Sequence, residues 1–365
     1  MYIAEIGFTK KQISIAVTIF TLSSFVGQNF LGYLADRLKC IKKLLILSNI
    51  VGIFVSIALN FSDKIWFMGI LISLWGFFLS GTVPLSEAWY LGVLKANGDD
   101  KEFGAIRGMG SIGYGLSGIL IGLLLTQYGW EIYSWYITIS TCITLLIILL
   151  IDEENDGASI QKENVSVRGA LEQIIKIRPL RSVVIIVFVY SFVLRGIYSY
   201  LGVLVMDFGG GPLSLGFAYF FDATPELITF TLTTRLLSKY QNKDLIFAAF
   251  IIQIIRLSSI LVFNSPIAII VLGTLSGFAF GLLATAYKTF IYEVAPDKYK
   301  VSCLSLSESI IGLSGVISAP VFGFLFVKFD GHIAIAIGLS IYILMTIILG
   351  IRLYGSGKRD KSSIQ

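Results

Sequence analysis

Long apolar segments recur along almost the whole chain, and they leave few folds open to it. Eleven segments are each long and apolar enough to cross a bilayer, which takes about 20 residues per helix. Lipid offers the backbone no hydrogen-bond partners, so continuous apolar segments of this length fold as helices. The sequence therefore predicts an all-α polytopic membrane protein. The predicted spans are residues 13–33, 44–61, 65–92, 104–127, 132–151, 180–206, 214–238, 244–263, 266–293, 301–327 and 333–353.

Composition supports a membrane protein and excludes several other classes. The chain is 56% hydrophobic and 14% charged, against about 25% charged residues in an ordinary soluble domain. Its net charge of +5 is spread over short loops without a basic, aromatic-rich patch, which argues against nucleic-acid binding. Cys40, Cys142 and Cys303 lie far apart and without the spacing of a metal site. We therefore predict no metal and no cofactor.

A single polar stretch divides the chain. Residues 152–179 read DEENDGASIQKENVSVRGALEQIIKIRP, and they are predicted to form a cytoplasmic linker that is partly helical. Residues 1–151 then form an N-terminal bundle of five spans and residues 180–354 a C-terminal bundle of six. Residues 355–365 form a cytoplasmic tail.

Basic residues predict the orientation. Most of the 28 lysines and arginines fall in alternate loops and in the C-terminal tail, and such residues are retained on the cytoplasmic side. This places the C-terminus on the cytoplasmic side of the cell membrane and Met1 on the outer side. The opening MYIAEIGFTKKQI resembles an external loop that follows a first span. A late start codon or a fragment explains this better than a genuine eleven-span protein.

The two sides of the linker look like copies of each other. Residues 76–94 match residues 277–295 without a gap, an offset of 277 − 76 = 201. Internal repeats of this kind are common in secondary transporters. With a first span restored, the chain would consist of two six-helix bundles.

The stretch GYLADRLKCIKK is similar to the cytoplasmic loop signature of the major facilitator superfamily of secondary transporters. The second glycine of that pattern is replaced here by Lys39 or Cys40. The resemblance implies that the loop holds the two bundles together on the cytoplasmic side in one conformation. The residues at matching positions are Gly32, Asp36, Arg37 and Lys43.

Two further stretches, SEAW and FGAIRGMGSIGY, resemble lactose permease and the related oligosaccharide and nucleoside proton symporters. This resemblance implies that Glu87 and Arg107 bind sugar hydroxyls. It also implies that Tyr114, which replaces a tryptophan, stacks on the sugar ring.

Helix geometry supports the same pair independently. Glu87 and Arg107 are each ten residues from Asn97, in the turn between two spans, so both lie about 15 Å from that turn. Ser111 and Tyr114 follow Arg107 on one helical face. A guanidinium, a hydroxyl and an aromatic ring on one face suit a polyhydroxylated ring. A salt bridge that only joins the two helices is the alternative.

The second half carries its own charged residues. The offset of 201 relates Glu87 and Arg107 to Lys288 and Glu308, for which an ion pair of mainly structural role is predicted. Arg195, Glu226 and Arg256 share one level by symmetry about the turns, and Asp222 lies one helical turn from Glu226. Buried charges survive when they are paired or line water. These four residues are therefore predicted to line a polar cavity and to couple a proton.

One departure from the resemblance concerns the proton. The histidine and glutamate that the permease has early in its tenth helix are replaced by LGTLSGFAFGLL, and the one histidine, His332, lies in an external loop. The proton mechanism of that family does not transfer intact.

The leading functional hypothesis is a secondary transporter, most simply a proton symporter, that moves a sugar-like or nucleoside-like solute by alternating access. Its expected partners are the solute, protons and membrane lipid, and we expect a monomer. A proton-driven drug or metabolite exporter is the first alternative. A membrane-embedded enzyme and an inactive remnant are weaker ones. No sequence feature identifies the substrate.

Overall fold

The computed structural model describes residues 1–61, 64–97, 103–151 and 167–354. Regular structure within these ranges is entirely helical, which confirms the predicted all-α class. A 3-10 turn, Ser80–Thr82, joins the fourth and fifth helices. The helices are α1 Tyr2–Glu5, α2 Lys10–Leu38, α3 Ile41–Ala58, α4 Ile65–Phe78, α5 Val83–Asn97, α6 Phe103–Tyr128, α7 Ile132–Leu150, α8 Val167–Lys176, α9 Arg178–Ser199, α10 Leu201–Asp207, α11 Pro212–Lys239, α12 Asn242–Phe263, α13 Pro266–Val294, α14 Lys300–Lys328 and α15 Gly331–Tyr354.

Within the described ranges, ten helical stretches are long and apolar enough to cross a membrane, with α4 and α5 acting as one. The predicted span that is absent from these ten, residues 214–238, corresponds to α11, which has 28 residues. Its interior carries Asp222 and Glu226, which make it less apolar than the others. It packs between α6 and α13, so protein surrounds much of its polar surface.

The span predicted at residues 180–206 is interrupted. Helix α9 ends at Ser199 and α10 begins at Leu201. Between them Tyr200 leaves the helical conformation, with φ −112° and ψ 15°, and its buried hydroxyl donates to the Ala319 carbonyl at 2.8 Å. The helix is therefore broken at a tyrosine whose buried hydroxyl finds its hydrogen-bond partner on another helix, α14.

Helix α8 comes from the second part of the predicted linker; residues 152–166 of that linker, and the whole predicted tail 355–365, lie outside the described residues. One face of α8 is buried through Ala170 and Ile174. Gly169 lies against the Tyr299 ring, close enough that a Cβ there would come within 2.8 Å of it. The amphipathic sequence of this segment thus packs onto the second group of helices at the start of α14.

Helix α2 has well-defined ends. Thr9 and Gln12 form a capping box, in which the Thr9 backbone N–H donates to Gln12 Oε1 at 2.8 Å. At the other end Lys39 adopts φ 48°, in the left-handed region. A side chain in this region is strained, and glycine is the usual residue there. Lys39 is one of the two positions, with Cys40, at which the family loop pattern has glycine.

We expect Lys39→Gly to stabilise the protein by about 0.5–1 kcal/mol, because glycine reaches the left-handed region without a Cβ clash. Thermal unfolding in detergent measures the effect. Lys11→Gly, an exposed position inside α2, is the control and should destabilise by up to about 1 kcal/mol. Equal effects of the two substitutions would show that the backbone at Lys39 is not strained.

Two antiparallel contacts join the first group of helices, α2–α7, to the second, α9–α15. One is α6 with α11 and the other is α2 with α14. In the first contact, Gly118 and Gly216 bring the backbones together so closely that a methyl group on Gly216 would overlap the Gly118 carbonyl. Small residues let membrane helices approach in this way. The two groups of helices therefore meet along these two seams.

Candidate functional site

The two groups of helices touch firmly at one end of the molecule, which we call the Lys10 end. Lys10 Nζ lies 2.8 Å from Asp207 Oδ1 and so joins α2 to α10. A little further along α2, Ser14 lies against Gly323 of α14, where a methyl group on the glycine would overlap the serine hydroxyl. The seam between α2 and α14 is therefore closed at this end.

The opposite end, which we call the Arg37 end, is more open. Phe25 still reaches Gly312, where a Cβ would lie 3.7 Å from its ring. Two turns later in α2, a Cβ on Gly32 would meet no described atom within 4 Å. In the register set by Phe25 and Gly312, Gly32 lies opposite Ser305, which is exposed. The seam between α2 and α14 is therefore wider at the Arg37 end.

The ion pair at the Lys10 end provides a test of this closure. An exposed pair contributes up to about 1 kcal/mol, which corresponds to about fivefold in an equilibrium. We therefore expect Lys10→Gln to raise the maleimide labelling rate of a cysteine at Ser14 by up to about fivefold, in a background without native cysteines. The neighbouring Lys11→Gln is the control. Equal rates in the two variants would show that the pair does not hold this end closed.

The residues predicted to bind substrate occupy the first group of helices. Glu87 is half-buried on α5, and Arg107 lies near the start of α6, although its side chain lies outside the described part of the structure. Ser111 is 8% exposed, because it shares the face of α6 that packs on α11 rather than an open face. Tyr114 is 50% exposed. The predicted pairing of Glu87 with Arg107 stays a prediction.

Tyr114 belongs to a cluster of three tyrosines that joins α6, α9 and α11. Its hydroxyl lies 3.1 Å from that of Tyr198, and its ring centroid lies 5.6 Å from that of Tyr219. Both Asp222 and Glu226 are among its electrostatic neighbours. The predicted aromatic position and the two predicted carboxylates therefore meet in one place.

Sequence reasoning missed the other two rings of this cluster. Tyr198 lies three residues after Arg195, and Tyr219 lies three residues before Asp222. Each therefore shares a helical face with a charge that the sequence marks as functional. An aromatic residue one turn from an intramembrane charge was the signal available.

Arg256 lies in a buried polar group of the second bundle. It is 4% exposed, and its Nη1 donates to Gln253 Oε1 at 3.2 Å. Gln253 in turn donates to the Tyr190 hydroxyl at 3.1 Å. The Asp222 carboxylate is a neighbouring charge, with Ser276 beside it. The Arg256 Nε is buried without a hydrogen-bond partner among the described residues.

Arg195 lies in a different group. Its electrostatic neighbours are Glu308 and Tyr287, and Lys288 Nζ lies 3.0 Å from Glu308 Oε1. The Tyr287 hydroxyl donates to the same carboxylate oxygen. The predicted ion pair of Lys288 with Glu308 is therefore present. The sequence predicts that Arg195 and Arg256 lie together, because they are at the same depth in the membrane. They belong to different groups, because counting residues from a turn gives the depth of a residue but not the direction in which its side chain points around the helix.

The predicted loop motif lies at the Arg37 end. Asp36, Arg37 and Lys43 are exposed there, and Gly32 precedes them in α2. Lys42 between them donates to the Ile151 carbonyl at 2.6 Å and ties the α2–α3 turn to the end of α7. The conformational role of the motif stays a prediction.

An apolar cavity lies nearer the Lys10 end. It has a volume of about 460 Å³ and is lined by residues of α2, α3, α4 and α7 together with the N-terminal residues. Tyr198 and Tyr219 also line it, so it reaches the tyrosine cluster. Among the described residues, no group of His, Cys, Asp or Glu could hold a metal ion.

Comparison with known proteins agrees with this architecture. Residues 1–347 match the model of the MFS_1-like family. A maltose permease of Geobacillus stearothermophilus is 22% identical over 232 residues, which are 63% of this chain and 57% of that protein. The chain thus spans little more than half the length of this relative.

Solved structures show the same fold. The nucleoside transporter NupG superposes with a TM-score of 0.77 at 15% identity, over 96% of this chain and 92% of that one. A point mutant of the same transporter gives 0.78 at 15% identity, over 94% and 91%. At this identity the likeness establishes the fold alone. Together with the family match over nearly the whole length, it shows that the chain belongs to the MFS_1-like family of the major facilitator superfamily, a family of membrane transporters and not of enzymes.

Proposed function

We propose that the chain moves a small, uncharged, polyhydroxylated solute, a sugar or a nucleoside, by proton symport. The observation that carries this proposal is the half-exposed Tyr114 ring beside Asp222 and Glu226. An aromatic face covers the apolar side of a sugar ring, while carboxylates accept hydrogen bonds from its hydroxyls. The maltose permease and the nucleoside transporter among the similar proteins point to the same substrate class.

The closed Lys10 end and the open Arg37 end support alternating access as the mechanism. With the Arg37 end in the cytoplasm, as the basic residues predict, the conformation is inward-facing. Rocking of one group of helices against the other would open the Lys10 end and close the Arg37 end. On this proposal the protein lies in the cell membrane as a monomer, with its C-terminus in the cytoplasm.

Proton coupling is assigned to Glu226, assisted by Asp222. The two carboxylates stand one turn apart on α11 and repel each other when both are ionised. Arg256 is a neighbour of Asp222 and favours the ionised form. A carboxylate under such opposed influences changes its protonation when the arginine moves. Movement between the two conformations supplies this change.

Thermal unfolding of the purified protein against maltose, uridine and a panel of related sugars and nucleosides tests the function. A ligand at 100 times its Kd stabilises the folded state by about 2.7 kcal/mol. We expect at least one member of the panel to stabilise the wild type and to lose this effect in Tyr114→Ala. Sorbitol controls for general osmolyte stabilisation. Stabilisation by aromatic acids or lipophilic cations alone would contradict the proposed substrate class.

A further inference from the structure

The ion pair between Lys288 and Glu308 is more exposed than a pair that only locks two helices. The Lys288 side chain is 50% exposed and that of Glu308 is 42% exposed. Charges facing lipid hydrocarbon are costly, so we infer that this exposed surface faces water between the two groups of helices. Lys288 and Tyr287 both contact Oε1 of Glu308. Both contacts fall on this one oxygen, and among the described residues no hydrogen bond to the second carboxylate oxygen, Oε2, is found.

Arg195 brings a guanidinium, a hydrogen-bond donor, close to Glu308. Its side chain is exposed, and no hydrogen bond or ion pair joins it to another residue of the described part of the chain. It lies over Gly315 of α14, where a Cβ would come within 3.2 Å of Arg195 Cδ. Gly315 stands seven residues after Glu308, two turns along the same face. Arg195 and Glu308 therefore share one face of α14 and are electrostatic neighbours.

The internal repeat gives this cluster a counterpart in the first half. The gap-free match of residues 76–94 with 277–295 places Lys288 at the position of Glu87, since 87 + 201 = 288. The same offset carried into the next helix places Glu308 at the position of Arg107, since 107 + 201 = 308, whereas the LSG stretches at 116–118 and 313–315 give 313 − 116 = 197. The two halves thus carry equivalent charged positions with reversed signs. The nearby stretch of α14 is separated from α2, as the open surroundings of Gly32 and the exposed Ser305 show.

We propose that Arg195, Tyr287, Lys288 and Glu308 form the second half of the substrate site and bind hydroxyl groups of the solute. Glu308 Oε2 accepts a hydrogen bond from one hydroxyl, and the Arg195 guanidinium donates to a neighbouring hydroxyl oxygen. Lys288 and Tyr287 hold the carboxylate in place. This inference rests on the proposed function, and it gives the solute contacts with both groups of helices.

A charge swap separates this role from a purely structural one. Lys288→Glu combined with Glu308→Lys keeps the attraction between α13 and α14 but puts an ammonium where the acceptor stood. We expect the affinity for maltose or uridine, measured by calorimetry, to fall at least about tenfold, the effect of one lost hydrogen bond to a charged group. The unfolding temperature is measured alongside, because the swap also removes the hydrogen bond from Tyr287 and brings an ammonium near Arg195. The control is the matching swap of Asp297 and Lys300, a pair 2.7 Å apart at the turn between the same two helices.

Arg195→Lys provides a second variant, which leaves the ion pair between Lys288 and Glu308 unchanged. Arg195 makes no hydrogen bond or ion pair within the described residues, and lysine keeps its positive charge beside Glu308, so the substitution should change the unfolding temperature little. We expect at least about a tenfold loss of affinity, because an ammonium does not reproduce the planar fork. Wild-type affinity in both the swap and Arg195→Lys would overturn the inference and leave Lys288 with Glu308 as a structural pair. Failure of the wild type to bind any sugar or nucleoside would instead overturn the proposed function, and this inference with it.

Discussion

Arg107→Lys is expected to abolish measurable binding of the transported sugar or nucleoside, a loss of about 100-fold or more. We propose that the Arg107 guanidinium donates to two solute hydroxyls at once through its rigid fork, and an ammonium does not reproduce that geometry. Two charge-assisted hydrogen bonds at about 1.5 kcal/mol each account for this loss. Calorimetric titration with maltose or uridine measures it. Arg168→Lys, at an exposed position of α8, is the matched control and should bind as the wild type does.

Two substitutions of Tyr114 separate the contribution of its ring to binding from that of its hydroxyl. Tyr114→Phe loses the hydrogen bond to Tyr198, which contributes about 1 kcal/mol, and so it should be mild. Tyr114→Ala removes the ring that covers the solute and should be severe. If Arg107→Lys retained wild-type affinity, and Glu87 and Arg107 tolerated joint replacement by apolar residues, the pair would be structural and the binding site would lie elsewhere.

Glu226→Gln is expected to stop accumulation against a gradient while leaving solute exchange intact. Glutamine keeps the size of the side chain and resembles its neutral, protonated form, but it does not take up or release a proton, so the transporter would equilibrate its solute without coupling. Uptake and exchange in proteoliposomes with an imposed proton gradient measure the two activities separately. Glu131→Gln, at the start of α7, is the control and should accumulate normally.

The coupling assignment has two contradicting outcomes. Full uphill uptake by Glu226→Gln would exclude Glu226 as the coupling group. Wild-type uptake that is indifferent to a protonophore would exclude proton symport altogether. In the second case the carboxylate keeps one charge state throughout the transport cycle, and the transporter is facilitative.

The sequence predicts the helices well because one physical requirement dominates them. A segment such as Gly331–Tyr354 is apolar along nearly its whole length, and lipid leaves it no alternative to a helix. The polar face of α11 is also predictable, since Asp222 and Glu226 stand one turn apart. The break at Tyr200 is not, because it depends on a hydroxyl reaching the Ala319 carbonyl from another helix. That contact exists only once α9 and α14 have packed.

The site is less predictable than the fold, since depth is easier to infer than direction. Counting residues from a turn places Arg195 and Arg256 at one level, yet Arg195 neighbours Glu308 and Tyr287 while Arg256 bonds Gln253. The same limit applies to Ser111, whose helical face packs on α11. Which face of a helix meets a neighbour is decided by close approaches such as that of Gly118 and Gly216.

Counterflow in proteoliposomes tests the central claim most directly, since it requires a solute to bind and cross without any coupling ion. Vesicles loaded with unlabelled maltose or uridine are diluted into a trace of the labelled compound. For the transported solute, wild-type protein should accumulate label transiently above the external concentration, and Arg107→Lys should not. Absence of a transient with every sugar and nucleoside, or equal transients in wild type and Arg107→Lys, would contradict transport through the cavity between the two bundles.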